Sequence, residues 1–171
     1  MSENTDGFAT AEQRDLVQTL ATLCQAKQQV VATAESCTGG MIAAAMTHLA
    51  GSSAWFDCGF VTYSNNAKMN LLGVSGATLN EFGAVSEATV AEMARGAVDR
   101  SEATVACAVS GVAGPGGGSV EKPVGTVWIG WAGPAGCYQK HYLIPGNRDE
   151  IRQQVVVEAI GGLINCINSV A

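Results

Sequence analysis

The sequence predicts an α/β protein in which a mostly parallel sheet is covered by helices on both faces. Short apolar or β-branched runs alternate with helical patterns along most of the chain, and this alternation is typical of a three-layer α/β/α domain. Late in the chain, two strand-like runs flank the tight turn Gly133-Pro-Ala-Gly136. This turn indicates a hairpin, which adds one antiparallel strand to the sheet.

Each element of this domain has a local signal. In chain order we predict helix 11–27, strand 29–35, helix 38–50, strand 55–64, helix 65–72, a loop with one helical turn over 74–83, helix 86–100, strand 103–110, strand 123–132, strand 137–144 and a final helix containing 151–167. Leu16, Leu20 and Leu23 recur at helical spacing in the first helix. Aromatic and β-branched residues mark the second strand. Gly51 and Gly73 follow the last turns of the two helices that they end.

The second half of the chain repeats these signals. The third strand is a buried apolar run that leads into a glycine-rich loop over 111–119. The final helix carries apolar residues one turn apart, at Ile151, Val155, Ala159, Leu163 and Ile167. We therefore expect this helix to pack one face on the sheet.

Composition and charge limit the class of protein. The 171 residues are 47% hydrophobic and 14% charged, which is typical of a globular chain with a substantial core. We predict one domain over 11–171 after a flexible N-terminal segment over 1–10. The net charge of −6 argues against nucleic-acid binding, which needs the opposite sign.

The sequence also lacks membrane and export signals. No apolar run reaches the roughly 18 residues of a membrane span, and the polar N-terminus does not have the pattern of a signal peptide. We therefore expect a cytoplasmic protein with no membrane partner.

Neither the cysteines nor the histidines form a metal-binding pattern. The six cysteines, at positions 24, 37, 58, 107, 137 and 166, include no C-x-x-C pair, and most stand in apolar or small-residue runs. We interpret them as buried free thiols of a reducing cytosol. His48 and His141 have no neighbouring ligand-type residue, so we predict no metal and no cofactor.

Three serines mark the edge of the sheet where a ligand is expected. Ligands of open α/β sheets bind beyond the carboxyl ends of the parallel strands. Those ends are Ser36, Ser64 and Ser110, so the loops that follow them should converge on one cleft. After Ser36, Gly39 and Gly40 leave a helix N-terminus uncovered by side chains, where N–H groups and the helix dipole favour an oxyanion or a phosphate.

A serine and a lysine at this cleft form the sharpest chemical hypothesis. Serine needs a base to accept its proton, and a lysine whose pKa is lowered by burial can serve where no histidine is near. Ser36 and Lys68 fit these roles, because Lys68 follows the second strand. Two alternatives remain open: Ser36 as a helix cap only, and Cys37 as a rival nucleophile. Strand alternation directs Cys37 and Glu35 away from Ser36.

Further features surround the predicted cleft. The loop after Ser110 lacks the Walker A and dinucleotide fingerprints, and we interpret it either as an anion cradle or as a plain crossover. Tyr63 is a candidate site hydroxyl, with a core aromatic ring as the alternative. Lys68 and Arg148 stand at helix starts, where a cation opposes the helix dipole. The residues alone thus indicate a polar cleft for an anionic small molecule.

Seven motifs occur in order along the chain. They are Thr33-Ala-Glu-Ser-Cys-Thr-Gly-Gly40, Gly51-Ser-Ser-Ala-Trp-Phe56, Gly59-Phe-Val-Thr-Tyr-Ser-Asn65 with Ala67-Lys68, Gly83-Ala-Val-Ser-Glu87, Ser110-Gly-Val-Ala-Gly-Pro-Gly-Gly117, Lys122-Pro-Val-Gly-Thr-Val127 and Pro145-Gly-Asn-Arg-Asp149. Together they resemble the CinA C-terminal domain family over residues 11–167. The resemblance implies a three-layer domain with a five-stranded mixed sheet, for which we expect strand order 2-1-3-4-5 with one antiparallel strand. It also implies a homodimer.

The same resemblance implies an activity. Stand-alone members of the family are nicotinamide-nucleotide amidohydrolases, which convert nicotinamide mononucleotide and water to nicotinate mononucleotide and ammonia in pyridine nucleotide (NAD) salvage. The partner would then be a small anionic nucleotide. The alternative is a non-catalytic nucleotide-binding or regulatory protein that retains the cleft.

Residue roles follow from the matched motifs. The resemblance assigns catalysis to Ser36 and Lys68, with Tyr63 beside them. Substrate contacts are expected from Thr38, Gly39, Gly40, Ser110, Gly111, Gly114, Gly116, Gly117 and Arg148. N–H groups near Gly39 and Gly40, or in the Ser110–Gly111 turn, are expected to bind the oxyanion of the reaction.

Overall fold

A computed structural model of the protein describes residues 9–169, and its centre is a five-stranded sheet. The strands are β1 (Val31–Glu35), β2 (Phe56–Val61), β3 (Val105–Gly111), β4 (Thr126–Gly133) and β5 (Gly136–Leu143). Their order is β2-β1-β3-β4-β5. β1 pairs in parallel with β2 and β3, whereas β4 is antiparallel to both β3 and β5. The predicted fold class and strand order are confirmed.

Helices cover both faces of this sheet. In the described part of the chain they are α1 (Ala11–Lys27), α2 (Met41–Thr47), α3 (Asn65–Leu72), α4 (Gly76–Phe82), α5 (Glu87–Asp99) and α6 (Arg148–Asn168), with a 3₁₀ turn at Ser52–Ala54. One face carries α1, α2 and α6, and the other carries α5, against which α3 and α4 pack. No helix within residues 9–169 has the length and apolar character needed to cross a membrane.

The two central strands are buried on both faces. Every residue of β1 is buried. In β3, Val105, Cys107 and Val109 face the core under α1 and α6, whereas Ala106 and Ala108 face the core under α5. Parallel strands that are covered on both sides have no polar face, which explains why most residues of these two strands are small or apolar.

Side chains cap the N-termini of α1, α3, α4, α5 and α6. Thr10 and Asn147 form capping boxes at the starts of α1 and α6, and the hydroxyls of Ser64 and Ser86 cap α3 and α5. Residues 1–8 of the predicted flexible segment lie outside the described residues. Thr10, at the end of that segment, is the N-cap of α1.

Besides strand ends that differ by up to three residues, two predicted helical segments were wrong in extent. The helix expected over 38–50 is the shorter α2, because Gly39 and Gly40 take φ values of +60° and +102° and keep the chain in a turn up to Met41. The segment expected to be a loop with one turn contains α4, which Ser75 caps. The glycine pair and the serine cap set these helix boundaries, and hydrophobic periodicity alone does not predict either feature.

All six cysteines are free, as predicted. Four of them are buried, whereas Cys58 is half-buried and Cys137 is exposed. Within residues 9–169 no group of three or more His, Cys, Asp or Glu side chains is arranged to hold a metal ion.

The packing of α6 on β4 predicts opposite outcomes for two neighbouring glycines. A Cβ on Gly162 would collide with the indole ring of Trp131, whereas a Cβ on Gly161 would meet nothing within 4 Å. We expect Gly162→Ala to lower the free energy of unfolding by about 1–3 kcal/mol, the usual cost of overpacking. Gly161→Ala should raise it by up to about 1 kcal/mol through helix propensity. Urea unfolding of both variants tests this, and equal shifts would contradict it.

Candidate active site

The carboxyl ends of the adjacent strands β1 and β2 bring Ser36 and Lys68 together. Ser36 is the first residue after β1, and Lys68 lies in the first turn of α3, which follows β2 after a short link. Lys68 Nζ is 3.0 Å from Ser36 Oγ, which is hydrogen-bonding distance. The two residues that sequence reasoning paired are therefore in direct contact.

Lys68 is enclosed by the protein. The residue is 1% exposed, and its Nζ lies 2.8 Å from the carbonyl oxygen of Thr62 and 3.4 Å from that of Tyr63. Among residues 9–169, no carboxylate lies within ion-pair distance of this amine. Burial lowers the pKa of Lys68 below its ordinary value, because desolvation disfavours the charged form.

A neutral Lys68 suits the hydrogen bonds around it. A neutral amine has two N–H donors and one lone pair, and the carbonyls of Thr62 and Tyr63 can accept from the two donors. The lone pair is then left for the hydroxyl of Ser36, which donates to it. This is the arrangement that a general base needs in order to activate a serine.

Glu35 occupies the N-terminus of α2. Its wholly buried carboxylate accepts hydrogen bonds from the N–H groups of Gly40, Ile42 and Ala43 at 3.0, 3.1 and 2.8 Å. It also accepts one from the Thr38 hydroxyl at 2.6 Å. Because Gly40, the N-cap of α2, has no capping side chain, Glu35 supplies the cap from the preceding strand.

Arg152 of α6 holds the same segment from its other side. We call residues 36–40 the nucleophile loop. The Nε and Nη2 atoms of Arg152 donate to the carbonyls of Cys37 and Thr38, each at 3.1 Å. The Glu35 carboxylate thus holds the nucleophile loop at the Thr38 hydroxyl and the Gly40 N–H, and the Arg152 guanidinium holds it at two carbonyls.

Sequence reasoning missed both of these contacts. Glu35 had one usable signal, since it is a carboxylate shortly before a helix N-terminus, where the dipole favours negative charge. Arg152, a cation within the predicted final helix, had no such signal. Its carbonyl partner Cys37 lies 115 positions away in the sequence, so only the fold brings them together.

These contacts correct the predicted oxyanion site. The N–H of Gly40 is bonded to Glu35, and the N–H of Gly39 donates to the Ser36 carbonyl at 3.1 Å, so neither is a free donor. Thr38 is wholly buried, and its hydroxyl donates a hydrogen bond to Glu35. The expectation that Thr38 faces a cleft was therefore wrong. The α2 N-terminus already holds an anion, which is the protein's own carboxylate.

The surroundings of Cys37 suppress its thiol as a rival nucleophile. Cys37 is buried, and burial raises the pKa of its thiol to about 11. The reactive form of cysteine is the thiolate, which is scarce at neutral pH under these conditions.

Arg148 joins the glycine-rich loop to Tyr63 at the rim of the site. Its Nη1 donates to the Gly114 carbonyl at 2.8 Å, and its Nη2 lies 3.5 Å from the Tyr63 hydroxyl. Tyr63 is 64% exposed, so the alternative of a core aromatic ring is wrong. An open pocket of about 420 Å³ lies here, lined by Ala113, Pro115, Val124, Gly146, Asn147, Arg148 and Asp149.

The other predicted substrate contacts lie at the same edge of the sheet. Ser110 and Gly111 end β3, directly after Val109, whose carbonyl accepts from the Ser36 N–H at 3.1 Å. Ser110 is buried. Gly116 and Gly117 lie exposed in the loop that follows. The structure therefore brings Ser36, Lys68 and the end of β3 together and leaves the tip of the glycine-rich loop further out.

The fold and this site define a three-layer α/β/α protein with a buried serine–lysine pair at the carboxyl edge of its sheet. The CinA C-terminal domain family matches residues 13–167, and the chain belongs to this family. The nicotinamide-nucleotide amidohydrolase PncC of Enterobacter agglomerans is 58% identical over 134 residues, which are 78% of this chain and 82% of that protein. PncC of Escherichia coli K12 is 50% identical over 137 residues, or 80% and 83%.

Solved structures agree with this membership. The competence/damage inducible protein CihA from Agrobacterium tumefaciens has a TM-score of 0.91 and 44% sequence identity, covering 99% of this chain and 100% of that one. The competence damage-inducible protein A from Klebsiella pneumoniae has a TM-score of 0.89 at 37% identity, covering 93% and 99%.

Proposed function

We propose that this amidohydrolase converts nicotinamide mononucleotide and water to nicotinate mononucleotide and ammonia, in pyridine nucleotide salvage. The observation that carries the proposal is the 3.0 Å contact between Ser36 Oγ and the enclosed amine of Lys68. Relatives at 50–58% identity bear the name nicotinamide-nucleotide amidohydrolase, which supports the substrate class.

The first half of the reaction forms an ester on Ser36. Neutral Lys68 accepts the hydroxyl proton while Ser36 Oγ bonds to the carboxamide carbon, and the carbonyl oxygen becomes an oxyanion. The positive pyridinium ring of the substrate makes this carbon more electrophilic. The C–N bond then breaks, and ammonia leaves with the proton that Lys68 returns to it.

The second half releases the acid. Water attacks the ester carbon and gives a proton to Lys68, and the bond to Ser36 Oγ then breaks as the hydroxyl recovers that proton. An alternative within the same site has Ser36 orient a water that attacks the amide directly. Mass spectrometry of enzyme quenched during turnover separates the two, because only an acyl-enzyme carries the nicotinoyl group of the substrate as added mass on Ser36.

The test of the proposal is ammonia release from nicotinamide mononucleotide by wild type, Ser36→Ala and Cys37→Ala. We expect turnover by wild type, its loss in Ser36→Ala, and its persistence in Cys37→Ala, which removes the thiol but keeps the main chain. Activity that survives in Ser36→Ala would keep the enzyme and remove the serine nucleophile. No ammonia from folded wild type would favour a nucleotide-binding protein instead.

We propose Arg148 and the glycine-rich loop as the anchor of the substrate phosphate. Arg148 is exposed beside the open pocket, and a charge-assisted hydrogen bond to phosphate is worth about 1.5–3 kcal/mol. Arg148→Ala should therefore raise KM for nicotinamide mononucleotide by about 10- to 100-fold, with kcat little changed.

Nicotinamide riboside, which lacks the phosphate, is the matched control substrate. Its kcat/KM should be the same in wild type and Arg148→Ala. An equal loss on both substrates would mean that Arg148 acts through its bonds to Gly114 and Tyr63, and the phosphate role would be wrong.

We also propose a cytoplasmic homodimer. Free cysteines throughout the chain suit a reducing compartment. The outer strands β2 and β5 expose Val61 and Leu143, which supports contact with a second copy. Light scattering at micromolar concentration measures the oligomeric state.

A further inference from the structure

Glu35 is a wholly buried carboxylate that the proposed reaction does not use. Within residues 9–169 no cationic side chain lies at ion-pair distance from it, and its charge faces the N-terminus of α2. In addition to the bonds described above, it accepts a longer one from the Thr33 hydroxyl at 3.3 Å. A buried charge is costly unless it is fully hydrogen-bonded, so this carboxylate and the segment that it holds stabilise each other.

We propose that Glu35 is a positioning residue for the reaction, an inference that rests on the proposed function. Its bonds to Thr38 and Gly40 hold the middle and the end of the nucleophile loop. Arg152 holds the carbonyls of the same loop from α6. The loop is thereby kept in the conformation in which Ser36 Oγ reaches Lys68 Nζ.

The same conformation leaves the N–H of Cys37 as the donor to the oxyanion. Hydrogen bonds within the protein satisfy the N–H groups of Ser36, Gly39, Gly40, Met41, Ile42 and Ala43. In the described part of the chain, the N–H groups of Cys37 and Thr38 have no main-chain acceptor. Thr38 is wholly buried, whereas Cys37 is 6% exposed and directly follows the nucleophile.

The peptide geometry gives the direction of this donor. The Ser36 carbonyl accepts from the Gly39 N–H inside the nucleophile loop. In a trans peptide the C=O and the following N–H point in opposite directions, so the Cys37 N–H points out of the loop. A donor already oriented where negative charge develops stabilises the transition state without reorganisation.

Two threonines provide a matched pair for the test. The Thr38 and Thr33 hydroxyls both donate to the Glu35 carboxylate, at 2.6 and 3.3 Å, but only Thr38 belongs to the nucleophile loop. The variants are Glu35→Gln, Thr38→Val and Thr33→Val. For each we would measure kcat and KM for nicotinamide mononucleotide, the pH profile of kcat/KM, and hydrogen–deuterium exchange of the peptide containing residues 36–43.

The expected results separate positioning from general stability. Glu35→Gln places an NH₂ group or a weaker acceptor against the α2 N–H groups, and should lower kcat about 100-fold, as misplaced catalytic groups do. KM should stay within about threefold, and the apparent pKa of the kcat/KM profile should not move. Thr38→Val should lower kcat about tenfold, and Thr33→Val should stay within about twofold. Exchange of 36–43 should accelerate in Glu35→Gln and Thr38→Val only.

Three results would overturn the inference. They are wild-type kcat in folded Glu35→Gln, an equal loss of kcat in the two threonine variants, and loop exchange in Glu35→Gln equal to that of wild type. If Glu35→Gln does not fold, the threonine pair decides. If wild type releases no ammonia, the proposed function fails, and the exchange measurement still decides whether Glu35 holds the nucleophile loop.

Discussion

Ser36→Ala, Lys68→Met and the double variant are expected to lose the same activity, at least about a thousandfold in kcat for nicotinamide mononucleotide. Lys68 Nζ and Ser36 Oγ are 3.0 Å apart. In the proposed mechanism they share one proton transfer, so removing either partner should leave the other without a role. Groups that act as a unit show non-additive losses. KM should change little in all three variants, because neither residue is the proposed phosphate anchor.

Lys122→Met is the matched control for the lysine. Lys122 Nζ also donates to a backbone carbonyl, that of Phe82 at 3.0 Å, but the residue is only half-buried and has no contact with Ser36. The Lys122→Met variant should retain the kcat of wild type. Losses in the two single variants that multiply in the double variant would show that Ser36 and Lys68 act independently, and the dyad would be wrong.

The pairing of Ser36 with Lys68 was predictable because it depends on a topological rule. Each residue follows a parallel strand, and the carboxyl ends of neighbouring parallel strands meet at one edge of a sheet. The sequence order of the elements therefore places the two residues near each other before any side chain is considered. The fold class follows in the same way from the alternation of strands and helices.

The support around the dyad was not predictable from local patterns. The prediction of an open anion site at the start of α2 rested on Gly39 and Gly40. The N–H groups at this helix start do bind an anionic group, as the backbone pattern indicated. That pattern could not show that Glu35, from the strand before, turns into that site and occupies it. Arg152 contacts the loop only after α6 packs on α2, which no local signal reports.

The burial of Lys68 was a second feature that only the structure could show. Lys68 and Arg148 had the same sequence signal, a cation at the start of a helix. The structure encloses Lys68 and leaves Arg148 exposed, and desolvation lowers the pKa of Lys68. This difference separates the proposed base from the proposed anchor.

The lowered pKa of Lys68 predicts that kcat/KM of wild type rises with pH. Below that pKa, the neutral fraction of the amine, and with it kcat/KM, should increase about tenfold per pH unit. Above it, kcat/KM should level off at a pH below the ordinary lysine value of 10.5. Initial rates at subsaturating substrate between pH 6 and pH 10 measure the profile. A profile that is flat across this range would contradict a lysine base.

The same lowered pKa predicts a pH-dependent stability with a defined sign. Between the folded-state pKa of Lys68 and its ordinary value of 10.5, the unfolded chain binds a proton at this site that the folded protein does not. The free energy of unfolding must therefore rise with pH in this window, by at most about 1.4 kcal/mol per unit. The gain is complete above 10.5 and is lost as pH falls through the lowered pKa.

Lys68→Met isolates this contribution from the rest of the chain. Buried thiols such as Cys37, whose pKa burial raises to about 11, act in the opposite direction at high pH, because there the unfolded chain loses protons first. They titrate in both proteins, so the difference in free energy of unfolding between wild type and Lys68→Met leaves chiefly the lysine. Urea unfolding at several pH values should show this difference rising in favour of wild type. The rise should begin near the pH at which kcat/KM levels off, because the same proton limits both quantities.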